Sequence, residues 1–494
     1  MTLAHIPKLK SSLFLIKARP FSLLAHLSIE QKLIDNKIQC SSCGFKLQIK
    51  DSAISGFINE QILLKHPTFL NNSPEKPSKP LICERCHAIK SNKPSIPLVS
   101  IEKHLQNMDL EAFINEIYSE IKPYSLVIYL IDLSNFLSTI IPQVLAMKSL
   151  KTCKIWLVIN KMDVLPEDFN ISQTKSYIRN FLHNNYETNV ALEDIFFVSS
   201  KSGLGFEKLI SKLTPLQEKG QVRNAYIIGC TNTGKSTFIN TLIAKIKPYS
   251  SETRYKKLDL DEIPTSQLPN TTLKTLIKEV PGLKYKLYDT PGIPNEMILG
   301  SLMSDLLRKN RNLVIAKKIK PERIDLLDGN VLFIGGLARI DYNNNENIEK
   351  TRLLTHVYGA YEIALHRTSL EKANEFYLKH YGGLLRPVYD EKIEKISFKK
   401  HELELRFAKN GECLDFLEIF GLGWLRFTKI TKNLEEKLRI SLFLPETVKF
   451  ALRETLMSLQ DPTKIYSKIQ KMKRRNLEKN QRIKRKILTK NENS

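Results

Sequence analysis

The sequence has no apolar stretch approaching the roughly 18 residues that a membrane-spanning helix needs, so no transmembrane segment is expected. Acidic residues are absent from the first 28 positions, which carry Lys8, Lys10, Lys17 and Arg19 within a Leu/Phe-rich pattern that includes Ser11, Ser12, Ser22 and Ser28. Basic, serine-bearing, acid-free leaders of this kind are typical of mitochondrial presequences, and residues 1–28 are expected to be one rather than a plain flexible terminus. Cysteine is sparse, at 7 in 494 residues, which excludes a secreted disulfide scaffold, since those are short and cysteine-dense. Acid is also nearly missing at the other end, where residues 464–490 hold twelve Lys/Arg against the single Glu478. Of the net charge of +24, that segment supplies +11 and residues 1–29 another +4. A surplus gathered at the termini favours a polyanionic partner, either nucleic acid or an anionic lipid surface. The basic tail from 461 to 494 has Tyr466 as its one aromatic residue, so contact with phosphates is favoured there over base stacking.

The 42% of apolar residues suffices for ordinary cores, and the length allows about three domains. Between residues 126 and 288 five strand-length apolar runs stand out: Leu126–Asp132, Ile155–Ile159, Ile195–Val198, Ala225–Ile228 and Lys286–Tyr288. Helix-length segments separate most of them, which predicts an α/β fold with a mostly parallel, covered sheet. Polar motifs follow these runs, where open α/β sheets bind ligands. After residue 312 short strand-like runs (Val331–Ile334, Leu403–Phe407, Phe416–Ile419) and helical segments near 367–380 and 446–459 predict an α+β domain. The expected domains are the leader 1–28, a cysteine module 29–100, a nucleotide domain 101–312, an α+β domain 313–460 and the tail 461–494.

Gly229-Cys230-Thr231-Asn232-Thr233-Gly234-Lys235-Ser236 has the phosphate-loop spacing. Its glycines let successive N–H groups surround phosphates, with the next helix adding its N-terminal dipole and Thr237 falling in its first turn. Lys235 is expected to reach the outer phosphates and the Ser236 hydroxyl to hold magnesium. Asn160-Lys161-Met162-Asp163 separates GTP from ATP, because the Asp163 carboxylate can accept two hydrogen bonds that only guanine offers. Lys161 would lay its stem along the base, and Asn160 would tie this loop to the phosphate loop. Ser199-Ser200-Lys201 would present backbone to the guanine carbonyl. Asp289, in Asp289-Thr290-Pro291-Gly292, would hold the magnesium shell, and the Gly292 N–H would sense the γ-phosphate. Thr272, with Thr271 as its rival, is the candidate switch threonine. Ile293 stands where many GTPases place a water-orienting glutamine, so slow intrinsic turnover is expected. Asn232 occupies the position at which potassium-dependent GTPases keep an asparagine ligand, making potassium a candidate activator.

The order of these motifs is itself informative. The guanine-reading segments precede the phosphate loop, as if old termini had been joined and the chain cut elsewhere, which reads as a circular permutation. Separately, Cys40-x2-Cys43 and Cys83-x2-Cys86 can supply four thiolates to one structural zinc. The intervening segment, Pro-rich from Pro67 to Pro80, would be extruded as a loop.

The cysteine pairs, the permuted order, Gly335-Gly336-Leu337-Ala338-Arg339-Ile340-Asp341 and Gly421-Leu422-Gly423-Trp424 together resemble the YqeH class of circularly permuted GTPases. Their fungal mitochondrial branch, involved in small-ribosomal-subunit assembly, is the most similar. Two departures are visible, Asn270 within Pro269-Asn270-Thr271-Thr272 and Ser200 in place of the usual alanine; neither removes a required functional group. The resemblance implies a zinc finger, a permuted GTPase domain and a C-terminal RNA-interaction domain. It also implies a matrix protein that uses GTP to time its contact with small-subunit rRNA and the pre-ribosome. A membrane-peripheral GTP-binding scaffold in mitochondria, with the basic tail in peripheral contact with the inner membrane, or a GTPase acting on another RNA, are the competing expectations.

Overall fold

The computed structural model describes residues 29–64, 81–90, 110–246, 274–293 and 321–454, apart from short segments within these ranges. The leader 1–28, the Pro-rich loop, Thr271 and Thr272, and the tail 461–494 lie outside the described residues.

The chain divides into two units. The first comprises Met1–Ile131, Ala146–Asn160 and Val198–Pro294. It contains most of a six-stranded sheet of order β3-β2-β1-β4-β6-β5. Strand β1 is Leu126–Asp132, β2 Lys154–Asn160, β3 Ile195–Phe197, β4 Asn224–Gly229, β5 Leu276–Glu279 and β6 Lys286–Asp289. All seven residues of β1 are buried, the pattern of a strand covered on both faces. Strands β1 and β4 pair in parallel, as do β4 and β6. The antiparallel edge strand β5 has no continuous apolar run and was not among the expected strands. The helix Lys235–Ile246 turns Phe238, Ile239, Leu242, Ile243 and Ile246 inward, a three-and-four spacing that makes one apolar stripe.

The cysteine module belongs to the same unit. Its small core joins Ile29, Leu33, Leu47, Ile49, Ile58, Leu63 and Leu81 to the four cysteines. Its knuckle touches the edge of the sheet: the Lys274 N–H donates to the Cys43 carbonyl at 3.1 Å. Gly44 has φ +73°, and a Cβ there would fall 2.8 Å from the Lys274 carbonyl oxygen; only glycine allows so close an approach.

The second unit comprises Asp132–Leu145, Lys161–Phe197 and Asn295–Ser494. Beyond residue 320 its described residues form two five-stranded antiparallel sheets and the helix Ala373–His380. One sheet runs β16-β13-β14-β10-β7, from Phe450–Glu454, Glu412–Ile419, Gly423–Ile430, Arg352–Gly359 and Glu322–Leu326. The other runs β11-β8-β9-β15-β12, from Leu365–Ser369, Asn330–Ile334, Ala338–Tyr342, Leu438–Pro445 and Phe398–Leu405. They share one core, to which the first contributes Leu353, Leu417, Leu425 and Phe427 and the second Leu332, Ile340, Leu405 and Leu442.

Two helical expectations change. Residues 450–454 are a strand, not part of a helix from 446 to 459. Phe450 and Leu452 pack on the shared core, and Arg453 turns the other way, a period of two that a short segment obeys when an edge is waiting to be paired. The helix expected over 367–380 begins only at Ala373, because Leu365–Ser369 pairs with β8 along its whole length.

Candidate nucleotide and metal sites

The phosphate loop leaves β4 and enters the helix Lys235–Ile246. Asn232 lies in the left-handed region at φ 61° and is exposed. The Thr233 hydroxyl donates to the Cys230 carbonyl at 2.9 Å, which holds the turn. Lys235 folds its ammonium onto the carbonyls of Gly229 and Cys230, at 3.0 and 2.8 Å. Burial pulls its pKa down to about 8, opposed by the nearby Asp289 carboxylate. Asp289 ends β6 with no exposed surface.

The segment after Asp289 is laced to the same loop. The Thr231 N–H donates to the Ile293 carbonyl at 3.0 Å, and the Ile293 N–H to the Gly229 carbonyl at 3.2 Å. Between them Gly292 comes so close that a Cβ would meet Thr231 Cγ2 at 2.9 Å and Lys235 Nζ at 3.1 Å. The Ile293 side chain is buried and offers no polar group.

One side chain gathers three motifs. Asn160, at the end of β2, donates through Nδ2 to the Thr233 carbonyl at 2.8 Å. Its Oδ1 accepts from the Ser200 N–H at 3.0 Å and from the Ser200 hydroxyl at 2.9 Å. The substitution of serine for alanine at 200 therefore adds a hydrogen bond. Gly234 makes room for this contact: at φ +91°, a Cβ would lie 2.6 Å from Asn160 Nδ2. The Thr241 hydroxyl donates to the Ser200 carbonyl at 2.6 Å, tying the phosphate-loop helix to the same turn. Ser199 closes that turn by accepting from Ser202 N–H on its hydroxyl at 3.0 Å, while Lys201 remains exposed at its tip. Ser236 and Thr237 are half-buried in the first turn of the helix.

Lys161 follows Asn160 in a left-handed conformation, φ 65°, and opens the one-turn helix Met162–Val164 that carries Asp163. Its ammonium bonds Asp132 Oδ2 at 2.8 Å. Burial pushes the Asp132 carboxyl up, but Lys161, Ser134 and Asn135 together hold it below its ordinary value. Sequence reasoning missed Asp132, whose only signal was its place as the polar last residue of an apolar strand.

The four cysteines converge. Their ligand sulfurs lie within 4.8 Å of one another, all buried, and Cys43 Sγ is 3.9 Å from Cys83 Sγ. Zinc–sulfur bonds of about 2.3 Å at tetrahedral angles put sulfurs about 3.8 Å apart, so the donor set fits a closed structural zinc site. The Cys83 N–H donates to Cys40 Sγ at 3.3 Å, an outer contact that supports a thiolate. His87 is exposed, and the four-cysteine cluster does not include it.

Comparison with known proteins agrees with this arrangement. Residues 224–334 match the family described as "50S ribosome-binding GTPase" and residues 352–456 the family described as "YqeH-like, C-terminal". The chain is 29% identical over 424 residues to the uncharacterized protein YqeH of Bacillus subtilis, covering 85% of this chain and 100% of that one. It is 25% identical over 471 residues to NO-associated protein 1, chloroplastic/mitochondrial, of Arabidopsis thaliana, covering 87% of this chain and 78% of that one. It is 25% identical over 340 residues to Genetic interactor of prohibitins 3, mitochondrial, of Lachancea thermotolerans, covering 61% of this chain and 58% of that one. With a match to a GTPase family and a match to the YqeH-like C-terminal family in one chain, and with likeness to YqeH along the whole length of that protein, the chain is a GTPase similar to those of the YqeH class.

Proposed function

We propose that this GTPase is an assembly factor of the mitochondrial small ribosomal subunit, working in the matrix, with its nucleotide state gating contact with rRNA. The observation that carries the GTP site is the meeting of Asn160 with Thr233 and Ser200, which joins base-reading and phosphate-reading loops that are far apart in sequence. Mitochondrial residence and ribosomal partnership rest on the names and descriptions of its relatives and on the acid-free leader and basic tail.

In this reading Asp163 receives the guanine N–H groups, the Lys161 stem lies on the base, and Ser199, Ser200 and Lys201 line the guanine carbonyl. The backbone from Gly229 to Gly234 encloses the phosphates, and Lys235 swings from the Gly229 and Cys230 carbonyls to the outer phosphates. Ser236, Asp289 and the switch threonine (Thr272, or Thr271) would hold magnesium, which would neutralise charge on the phosphate oxygens. Water then attacks the γ-phosphorus in line; the bond to the β–γ bridging oxygen breaks, GDP departs with that electron pair, and the water's proton passes to phosphate. With Ile293 in place of a water-orienting residue, intrinsic turnover is slow. Potassium at Asn232 would supply positive charge to the transition state; equal rates in potassium and sodium would defeat that assignment.

The domains in this reading are the leader 1–28, the zinc module 29–100, the permuted GTPase 101–312, the RNA-interaction domain 313–460 and the tail 461–494. The decisive experiment is RNA crosslinking in cells with the non-cycling Asp289→Ala protein. Small-subunit rRNA enriched over a tail-deleted control is the expected result. Enrichment of large-subunit rRNA or of another RNA, or recovery with membranes and no RNA, overturns it.

A further inference from the structure

The loop that leaves β1 carries a chain of polar contacts that the nucleotide site does not itself require. Asp132 is 3% exposed, and its two oxygens are shared among three neighbours. Oδ1 accepts from the Ser134 N–H at 2.9 Å and the Ser134 hydroxyl at 2.6 Å. Oδ2 accepts from Lys161 Nζ at 2.8 Å and Asn135 Nδ2 at 3.3 Å. The Asn135 amide then reaches onward: its Oδ1 accepts the Gly421 N–H at 3.0 Å, in the turn between β13 and β14. Two residues further on, the Leu137 N–H donates to Glu418 Oε1 at 3.0 Å. Glu418 has no exposed surface, and its other oxygen accepts from Arg453 Nε at 2.6 Å. Burial holds the Glu418 carboxyl above its ordinary value, against the pull of Arg453. A buried carboxylate is costly unless every oxygen is satisfied. Here one of its two oxygens is satisfied by the β1 exit loop. These contacts span 281 and 286 residues of sequence, so they are specific to the folded arrangement.

We infer that Asp132 is a positioning residue for guanine recognition, and that the 132–137 loop couples the guanine pocket to the docking of the β13–β14 hairpin. Asp132 fixes the ammonium of Lys161, whose stem must lie flat on the base. The same carboxylate orients Asn135, whose amide has one end on Asp132 and the other on the hairpin. Anything that orders Lys161 therefore favours the loop geometry that receives Gly421 and Glu418. Coupling of this kind is reciprocal: the factor by which nucleotide strengthens docking equals the factor by which docking strengthens nucleotide binding. The inference rests on the assignment of Asn160–Asp163 as the guanine-reading segment.

The test uses the full chain with bound zinc and a fluorescent GDP. Asp132→Asn should weaken GDP binding about tenfold, the order expected when a charge-assisted contact that orients a ligand group is lost. Asn135→Ala, which touches no nucleotide atom in this arrangement, should weaken it severalfold, and Glu418→Gln should do the same. GDP should slow hydrogen exchange at the Leu137 and Gly421 amides in the parent protein and lose that effect in Asp132→Asn, a change that altered stability alone does not produce. Melting curves identify any variant that merely unfolds, and the isosteric Glu418→Gln then carries the comparison. If GDP affinity is unchanged in Asp132→Asn, the positioning role is wrong. If Asn135→Ala and Glu418→Gln bind GDP like the parent, or GDP leaves the two amides unaffected, the coupling is wrong. Asp163→Asn serves as the control on the assignment beneath: if it too binds GDP normally, that assignment fails rather than the relay.

Discussion

Two regions of this molecule bury polar groups, and they do so in opposite ways. In the nucleotide domain the buried polar residues Asn160, Ser199, Ser200, Thr233, Lys235 and Asp289 sit at the ends of strands or just beyond them. In the C-terminal sheet His356, Glu418, Arg426 and Arg453 sit within strands, on the face opposite the shared core. In the first set Asn160, Thr233 and Lys235 bond loop carbonyls; in the second, Glu418 and Arg453 bond each other. The difference predicts different consequences of mutation: lost binding in the first and chiefly lost stability in the second, where Glu418 reaches the nucleotide only through the 132–137 loop.

That difference also decides what was legible. Strand-end polar residues come as compact strings, because a loop that grips phosphate or guanine needs neighbours in sequence, and so Gly229–Ser236 and Asn160–Asp163 could be picked out as candidates from spacing alone. The strands β1, β2 and β4 were legible for a related reason, being largely buried and hence continuously apolar. The polar face of the C-terminal sheet was not legible. An alternation such as Phe416, Leu417, Glu418, Ile419 reads as one face in the core and one in water, and nothing local says that Glu418 meets a backbone amide 281 residues away. Strands β7, β9, β10, β14 and β15 escaped notice because their partners, not their own composition, make them strands.

The cysteine module takes the first strategy to its limit, since its buried sulfurs converge into a donor set that fits a zinc ion. Structural zinc contributes on the order of 10 kcal/mol to small sites of this kind. Stripping zinc, or Cys83→Ser, should therefore abolish slow hydrogen exchange across 38–58 while β1, β2 and β4 stay protected. Because Lys274 N–H bonds the Cys43 carbonyl, the edge strand β5 should lose protection along with the module. Persistent protection of the module without metal would place it with the second strategy, as a self-sufficient core.

Next in size is the strand-borne pair. Glu418→Ala leaves Arg453 buried without its partner, which should cost about 3–5 kcal/mol, read as a lower denaturant midpoint of the C-terminal transition. Replacing both, Glu418→Leu with Arg453→Met, should recover most of that loss, because two well-packed apolar groups remove both desolvation costs. A double variant no better than the single one would mean that the pair holds the fold by more than mutual neutralisation.

Asp163→Asn probes the loop strategy directly. Loss of the charge-assisted hydrogen bonds should weaken GTP by about ten- to a hundredfold, at roughly 1.5–3 kcal/mol. The melting temperature of the nucleotide-free protein should barely change, because Asp163 is only half-buried and sits in a one-turn helix. Tighter binding of xanthosine triphosphate than of GTP is the accompanying sign, since an amide can donate to the carbonyl that replaces the guanine amine. A large fall in stability instead would erase the contrast between the two regions.

The smallest effect is graded rather than all-or-none, and it follows from Lys235. With its pKa drawn down to about 8 by burial, Lys235 loses its proton in the nucleotide-free protein as pH rises through 8. A phosphate-bound Lys235 must be charged, so binding takes up a proton above that pH, and GTP affinity should fall by up to about tenfold per pH unit between 8 and 9. In stability the sign is reversed. A lysine whose folded pKa lies below its unfolded value binds fewer protons when folded, so the nucleotide-free protein gains stability as pH rises from about 8 toward 10.5. Calorimetric titration in buffers of different ionisation enthalpy would read the proton uptake directly, and Lys235→Met should remove both trends together. Affinity independent of pH across that window would mean that Lys235 stays charged in the empty loop, held by the Gly229 and Cys230 carbonyls and Asp289. The loop would then keep its cation without a ligand, as the C-terminal sheet keeps Arg453.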